Sequence, residues 1–227
     1  PVATAIAYLQ RSNLRYAAVY DFGGGTFDLA IVDCQAFPFR VLAYDGDPFL
    51  GGDDVDEVLA KRVAGIVLRE HRWDLGSDRS TWRRLVSACE WAKRTLATRD
   101  EVGIPITEID PAAPQNIDPV PMTREVVEHI GASFVHKTFA LCDAALSKAR
   151  VPAQQMDAVF LAGGSTMLPG LHDLVGAYFG KRPRFDLDPM HVVALGASYA
   201  AVRPDLHKLL DQPIARRPQS RPDLATS

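Results

Sequence analysis

The chain has 227 residues, 47% hydrophobic and 23% charged, which is enough for a sizeable core in one domain or two subdomains. A formal net charge of −3 gives no electrostatic footprint for nucleic acid or a membrane surface, no apolar run approaches the ~20 residues that span a bilayer, and no signal-peptide pattern opens the chain. The cysteines, Cys34, Cys89 and Cys142, have no metal-ligand spacing, and such an odd, scattered set predicts buried thiols in a reducing, cytoplasmic compartment.

The opening "VATAIAYL" is helix-like and almost wholly apolar. A start at Pro1 in place of methionine is what a piece of something longer would show. Three strands follow by pattern, Tyr16 to Asp21, Thr26 to Asp33 and Phe39 to Tyr44, forming a meander whose first turn is the triple glycine Gly23-Gly24-Gly25. After "GDPFLGG" the period becomes helical. "DDVDEVLAKRVAGIVLREH" opens on acids that suit the positive end of a helix dipole. A second helix, Ser80 to Thr98, carries an apolar stripe of Trp82, Leu85, Val86, Cys89 and Leu96. "EVGIPITEI" predicts a strand, and the proline-rich "DPAAPQNIDPVPM" a loop. A long helix from about Thr123 to Lys148 follows, with Val126, Ile130, Phe134 and Leu141 on one face. "MDAVFLAGGSTMLPGLHDLVGAYFG" gives strand, glycine turn and helix, and "DPMHVVALGASYAAV" a small-residue helix. Beyond Arg203 the periodicity fades, predicting a flexible tail over residues 203–227. Interleaved strands and helices make the class α/β.

The chemistry concentrates in a few stretches. Glycines let consecutive backbone amides converge on an anion, so Gly23, Gly24 and Gly25 followed by the Thr26 hydroxyl form either a phosphate nest or a hairpin turn with a spare glycine. Asp21 would repel phosphate directly but could hold the water shell of a bridging Mg²⁺. The "DFG" inside this stretch lacks the catalytic-loop partner that a kinase needs. Gly163, Gly164 and Ser165 in "LAGGST" permit close approach of a nucleoside, or simply turn a strand into a helix. Glu90, Lys93, Arg94 and Ala97 share one helix face opposite the apolar stripe, as a solvated surface does. The other possibility is a ribose- and base-binding face, with Arg94 laid on the purine. Gly51 and Gly52 are a turn or another close approach to ligand. The six histidines are too dispersed for a metal site or a His-based triad.

In order and spacing, "YDFGGGTFD", "DPFLGGDDVD", "ACEWAKRTL", "LAGGSTMLPGL" and "DPMHVVALGASYA" resemble the ATPase domain of the DnaK-type heat-shock protein 70 chaperones, from Pro1 to Val202. The resemblance implies one lobe, lobe II, of an actin-like (ribonuclease H-like) ATPase. Residues 1–51 and 122–202 would form its inner α/β subdomain and residues 52–121 an inserted outer α+β subdomain. It further implies ATP or ADP with Mg²⁺, the phosphates cradled at Gly24, Gly25 and Thr26. Asp21 would lie near the metal, with adenosine between the helix of Glu90, Lys93 and Arg94 and the loop of Gly163, Gly164 and Ser165. A nucleotide-exchange factor or co-chaperone is an implied partner, and protein folding under stress the implied setting.

The departures from the family pattern are Ala97 where a small hydroxyl residue is usual, Met167 for an arginine and Met190 for an acid. They suggest weaker or altered adenosine contacts and leave room for a nucleotide-sensing pseudo-ATPase. A bacterial actin-like filament protein shares "GGGT" but not the "ACEWAKRTL" helix. The family's first phosphate loop, catalytic lysine and a glutamate have no counterpart in this chain. A missing lobe I would supply these catalytic residues, and the chain alone is expected to hydrolyse ATP negligibly.

Overall fold

The computed structural model describes residues 1–9, 14–35, 39–203 and 205–206, so the predicted tail lies almost wholly outside the described residues. The chain divides into two compact units, one of Pro1–Gly51, His136–Thr166 and Asp173–Ser227, the other of Gly52–Val135 and Met167–His172. The first break falls after Gly51; the chain returns to the first unit inside a helix, at His136.

The first unit is built on a mixed sheet, ordered β3-β2-β1-β6. β1 (Tyr16–Phe22), β2 (Phe27–Asp33) and β3 (Arg40–Asp47) form the antiparallel meander, and β6 (Ala158–Ala162) lies parallel to β1. Ala17 to Tyr20 and Phe22 are fully buried, because β1 is central and covered on both faces. On one face Ala17, Val19, Ala30, Val32, Ala158 and Phe160 meet Val2, Ala5 and Ile6 of α1 (Val2–Tyr8) and Ala200 of α7 (Val192–Ala201). Tyr8 stacks on Phe160 at 4.2 Å. On the other face Tyr20, Phe22 and Phe27 form an edge-to-face cluster, and the Tyr20 hydroxyl bonds Thr138 Oγ1 at 2.7 Å. Thr138 belongs to α5 (Arg124–Ala149), whose Asp143 accepts a hydrogen bond from Tyr178 of α6 (Leu171–Phe179).

The second unit pairs α2 (Gly52–His71) with α3 (Arg79–Thr95). Val55, Leu59, Val63 and Val67 of α2 and Leu85, Cys89 and Leu96 of the α3 region are fully buried, while Trp82 and Val86 of the predicted stripe are half-buried. Asp78 caps α3 by accepting from the Thr81 amide at 2.7 Å, and the Ser80 hydroxyl, followed by that amide, holds its carboxyl down to about 2.

Four expectations are corrected here. The predicted strand from Glu101 to Ile109 stops as β4 (Glu101–Ile104), because Pro105 has no amide for the ladder; Ile106–Ile109 becomes a single helical turn, α4. The proline-rich loop ends in a strand, β5 (Val120–Thr123), antiparallel to β4 with Pro121 opposite Gly103. A two-stranded sheet leaves each strand one unpaired edge, where a missing amide is tolerated. β3 runs on to Asp47, because Gly46 fits where a Cβ would lie 2.6 Å from the Phe27 carbonyl. In α5 the buried stripe is Val127, Phe134, Val135, Thr138, Cys142, Ala145 and Leu146, with Val126, Ile130 and Leu141 half-buried, since apolar residues on several faces made the period ambiguous.

The contact of α1 with α7 rests on a missing side chain: a Cβ on Gly196 would lie 1.7 Å from the Ala3 carbonyl oxygen. Gly196→Ala is expected to force the helices apart and destabilise the chain by about 1–3 kcal/mol, read by equilibrium urea unfolding. An unchanged midpoint would show that the helices separate without cost.

Candidate functional site

The glycine turn is tight. The Gly23 amide donates to the Thr26 carbonyl at 2.9 Å, closing a loop over Gly24 and Gly25, and Gly24, Gly25 and Thr26 are exposed. Buried Gly51 lies directly against it: a Cβ there would sit 2.0 Å from the Gly24 carbonyl oxygen and 2.7 Å from the Gly25 Cα. Among the described residues the glycines at positive φ are Gly163, Gly170 and Gly180. The hairpin glycines are therefore not explained by left-handed geometry; the close approach is made by Gly51, against a backbone that Gly24 and Gly25 leave bare.

β1 and β6 are parallel neighbours, with Asp21 opposite Ala162, so both chains leave the sheet at the same end. Gly163 follows at φ 86°, where a Cβ would lie 2.3 Å from the Phe22 carbonyl oxygen and 2.9 Å from Asp21 Oδ1. Its amide donates to the Pro189 carbonyl at 2.9 Å, and its own carbonyl accepts from Thr166 Oγ1 at 2.6 Å. Gly164 is exposed beside exposed Met190, and Ser165 is buried. Asp21, Gly23 to Thr26, Gly51 and the Gly163 to Ser165 loop are thus gathered in the first unit, at the carboxyl ends of two parallel strands, the end of an open α/β sheet where ligands bind. Burial raises the Asp21 carboxyl above the ordinary carboxylate range. Among the described residues no group of three or more His, Cys, Asp or Glu is arranged as a metal site. A single half-buried carboxylate suits a hydrated Mg²⁺ held through water, not a directly ligated ion.

The α3 residues lie in the second unit. Glu90 and Arg94 are exposed and only loosely paired, at 3.9 Å. Lys93 breaks the expectation of a solvated face. It is 9% exposed, and its Nζ donates to Asp56 Oδ2 at 2.6 Å and to the Gly52 carbonyl at 3.0 Å. Asp56 Oδ1 is buried with no hydrogen-bond partner among the described residues. Burial, reinforced by Glu90 and Asp53 and opposed by Lys93, pushes the Asp56 carboxyl up to about 6. Ala97 lies beyond α3: its amide bonds the Arg94 carbonyl three residues back, in a tightened final turn. Sequence inspection passed over Asp56 by treating the acids after Gly52 as one dipole-complementing cluster. The missed signal was its place on the buried side of α2, three, four and seven residues before Leu59, Ala60 and Val63.

A helix-covered mixed sheet with a glycine hairpin at the carboxyl ends of parallel strands is consistent with the actin-like ATPase fold. The model of the Hsp70 protein family matches residues 1–207, and the chain belongs to that family, whose domain supports a nucleotide-binding chaperone function.

Because the fold favours protonated Asp56, the stability this group contributes is full below its ordinary value of 3.8 and is lost as pH rises through about 6. The unfolding free energy of the wild type relative to Asp56→Asn is expected to fall between pH 4 and 7 by up to about 3 kcal/mol, measured by urea titration across that range. A pH-independent difference would contradict the burial of an ionisable Asp56.

Proposed function

We propose that the chain is the second lobe of a chaperone-like ATPase nucleotide-binding domain, holding ATP or ADP with Mg²⁺. Its intact parent would couple the nucleotide cycle to a conformational change that controls binding of a peptide segment. Gly24, Gly25 and Thr26 cradle the β- and γ-phosphates, and Asp21 holds magnesium through water. Glu90, Lys93 and Arg94 with Gly163, Gly164 and Ser165 contact adenosine, and residues 52–121 form the inserted outer subdomain, open to an exchange factor or co-chaperone. One observation carries this proposal: the backbone of Gly51 seated against Gly24 and Gly25, which fixes an exposed glycine hairpin at the carboxyl ends of β1 and β6. Magnesium would neutralise charge on the phosphates, while the loop amides and Thr26 hydroxyl fix where the phosphates lie. Hydrolysis needs preorganised charge on both sides of the γ-phosphate, and the groups gathered here, amides, one hydroxyl and Asp21, provide one side.

Calorimetry of the full chain should detect ADP and ATP binding. Gly51→Ala, which pushes a methyl into the loop backbone, should weaken it on the order of tenfold or more, with thermal melting as the folding control. Absence of nucleotide binding by the wild type would overturn the proposal. Phosphate release should be negligible. Turnover like that of an intact chaperone ATPase domain, abolished by Asp21→Ala, would contradict the one-sided site. The exposure of Met190 beside Gly164 favours a second possibility, a nucleotide sensor that binds without hydrolysis in its intact parent. Nucleotide binding with no phosphate release by that parent would establish it.

A further inference from the structure

The chain has four methionines, and they divide by exposure. Met122 and Met156 are buried, at 2% and 0% exposed, whereas Met167 and Met190 are 47% and 61% exposed. The two exposed ones border the same glycine loop. Met167 closes the 3-10 turn Gly164–Met167, and the Met190 Cγ and Sδ lie 3.7 and 4.0 Å from where a Cβ on Gly164 would stand. Met190 is presented there by a fixed backbone. Its amide donates to Asp188 Oδ1 at 2.9 Å, Asp188 Oδ2 pairs with His191 Nδ1 at 2.7 Å, and the Pro189 carbonyl accepts from the Gly163 amide at 2.9 Å. A thioether in a core fills gaps; one left exposed on a fixed loop has little packing to provide, and its distinctive chemistry is oxidation. Both also stand where the Hsp70 pattern carries an arginine and an acid, which are not on the oxidation ladder of sulfur side chains. The thiols compete poorly for an oxidant. Peroxide attacks the thiolate, and burial pushes Cys34 and Cys89 up to about 12 and raises Cys142 as well.

Resting on the nucleotide proposal above, we propose that Met190, together with Met167, is a peroxide-sensitive modification site whose conversion to the sulfoxide weakens nucleotide binding at the Gly163 to Ser165 loop. The thioether sulfur attacks one oxygen of hydrogen peroxide, and the S–O bond forms as the O–O bond breaks. The proton on the transferred oxygen passes to the departing hydroxide, which leaves as water. Sulfur is oxidised by two electrons and the peroxide is reduced by two. The product sets a polar oxygen where an apolar side chain bordered Gly164, and removes the sulfur contact that a purine face would meet. The fold tolerates the change, because both side chains reach solvent. A dithiol-bearing sulfoxide reductase reverses it, forming a disulfide and releasing the oxygen as water.

The test treats the full chain with graded hydrogen peroxide and reads sulfoxide at each methionine by peptide mass spectrometry. Calorimetry then compares ADP and inorganic pyrophosphate binding before and after. Met190 and Met167 should be converted on the order of tenfold faster than Met122 and Met156, as exposure dictates. The oxidised wild type should bind ADP about threefold or more weakly, as loss of a sulfur–aromatic contact implies, and reductase treatment should restore it. Pyrophosphate has no base and should bind alike in both forms, which also reports an intact fold. The double variant Met167→Leu/Met190→Leu should bind ADP equally before and after peroxide. Equal oxidation rates at all four methionines overturn the modification site. Selective oxidation with unchanged ADP affinity, an equal loss for pyrophosphate, or a loss that persists in the double variant overturns its link to the loop and leaves the nucleotide proposal standing. Failure of the unoxidised wild type to bind ADP overturns both.

Discussion

The organisation of the first unit depends on backbone meeting backbone with no side chain between. Gly51 rests on Gly24 and Gly25, and Gly163 rests on the Phe22 carbonyl and Asp21. In each case even one methyl would overlap a neighbouring carbonyl. These approaches bring the end of the β1–β2 hairpin, the end of β6 and the segment leaving β3 to one place. The sheet order β3-β2-β1-β6 makes this possible, because it sets parallel β6 beside the strand that enters the glycine turn. The central position of β1, buried on both faces, then holds the turn on a rigid base.

The two units deploy different chemistry. The first offers exposed backbone, a hydroxyl and one half-buried carboxylate. The second offers charged side chains, two of them exposed and one, Lys93, locked by Asp56 and a main-chain carbonyl. A nucleotide presents both kinds of group, phosphates and a hydroxylated ribose. The chain belongs to the Hsp70 family, whose domain supports nucleotide binding.

Much of the first unit was legible in the residues. Short apolar runs between turn residues gave the meander, and the glycine stretches marked both loops of the candidate site. The second unit was harder to read. Pro121 looked like a strand breaker, yet it sits in β5, where a two-stranded sheet has an edge to spare. Lys93 looked like one member of a solvated face, and helical spacing cannot say that the opposite element carries a buried acid to receive it. The α5 stripe was misplaced by one position over Val126 and Val127, because several faces of that helix are apolar and only contacts choose among them.

The sequence by itself determined the α/β class, the family to which 207 residues conform and the stretches where backbone would be left bare, since glycine content and strand period are local properties. Tertiary structure alone decided what those features meet. It placed Gly51 under the hairpin, set Gly163 against Asp21 and turned Lys93 from a surface charge into an anchored donor. Each of these depends on residues separated along the chain by about 27 to 142 positions, and no local period encodes which distant backbone or carboxylate will arrive there.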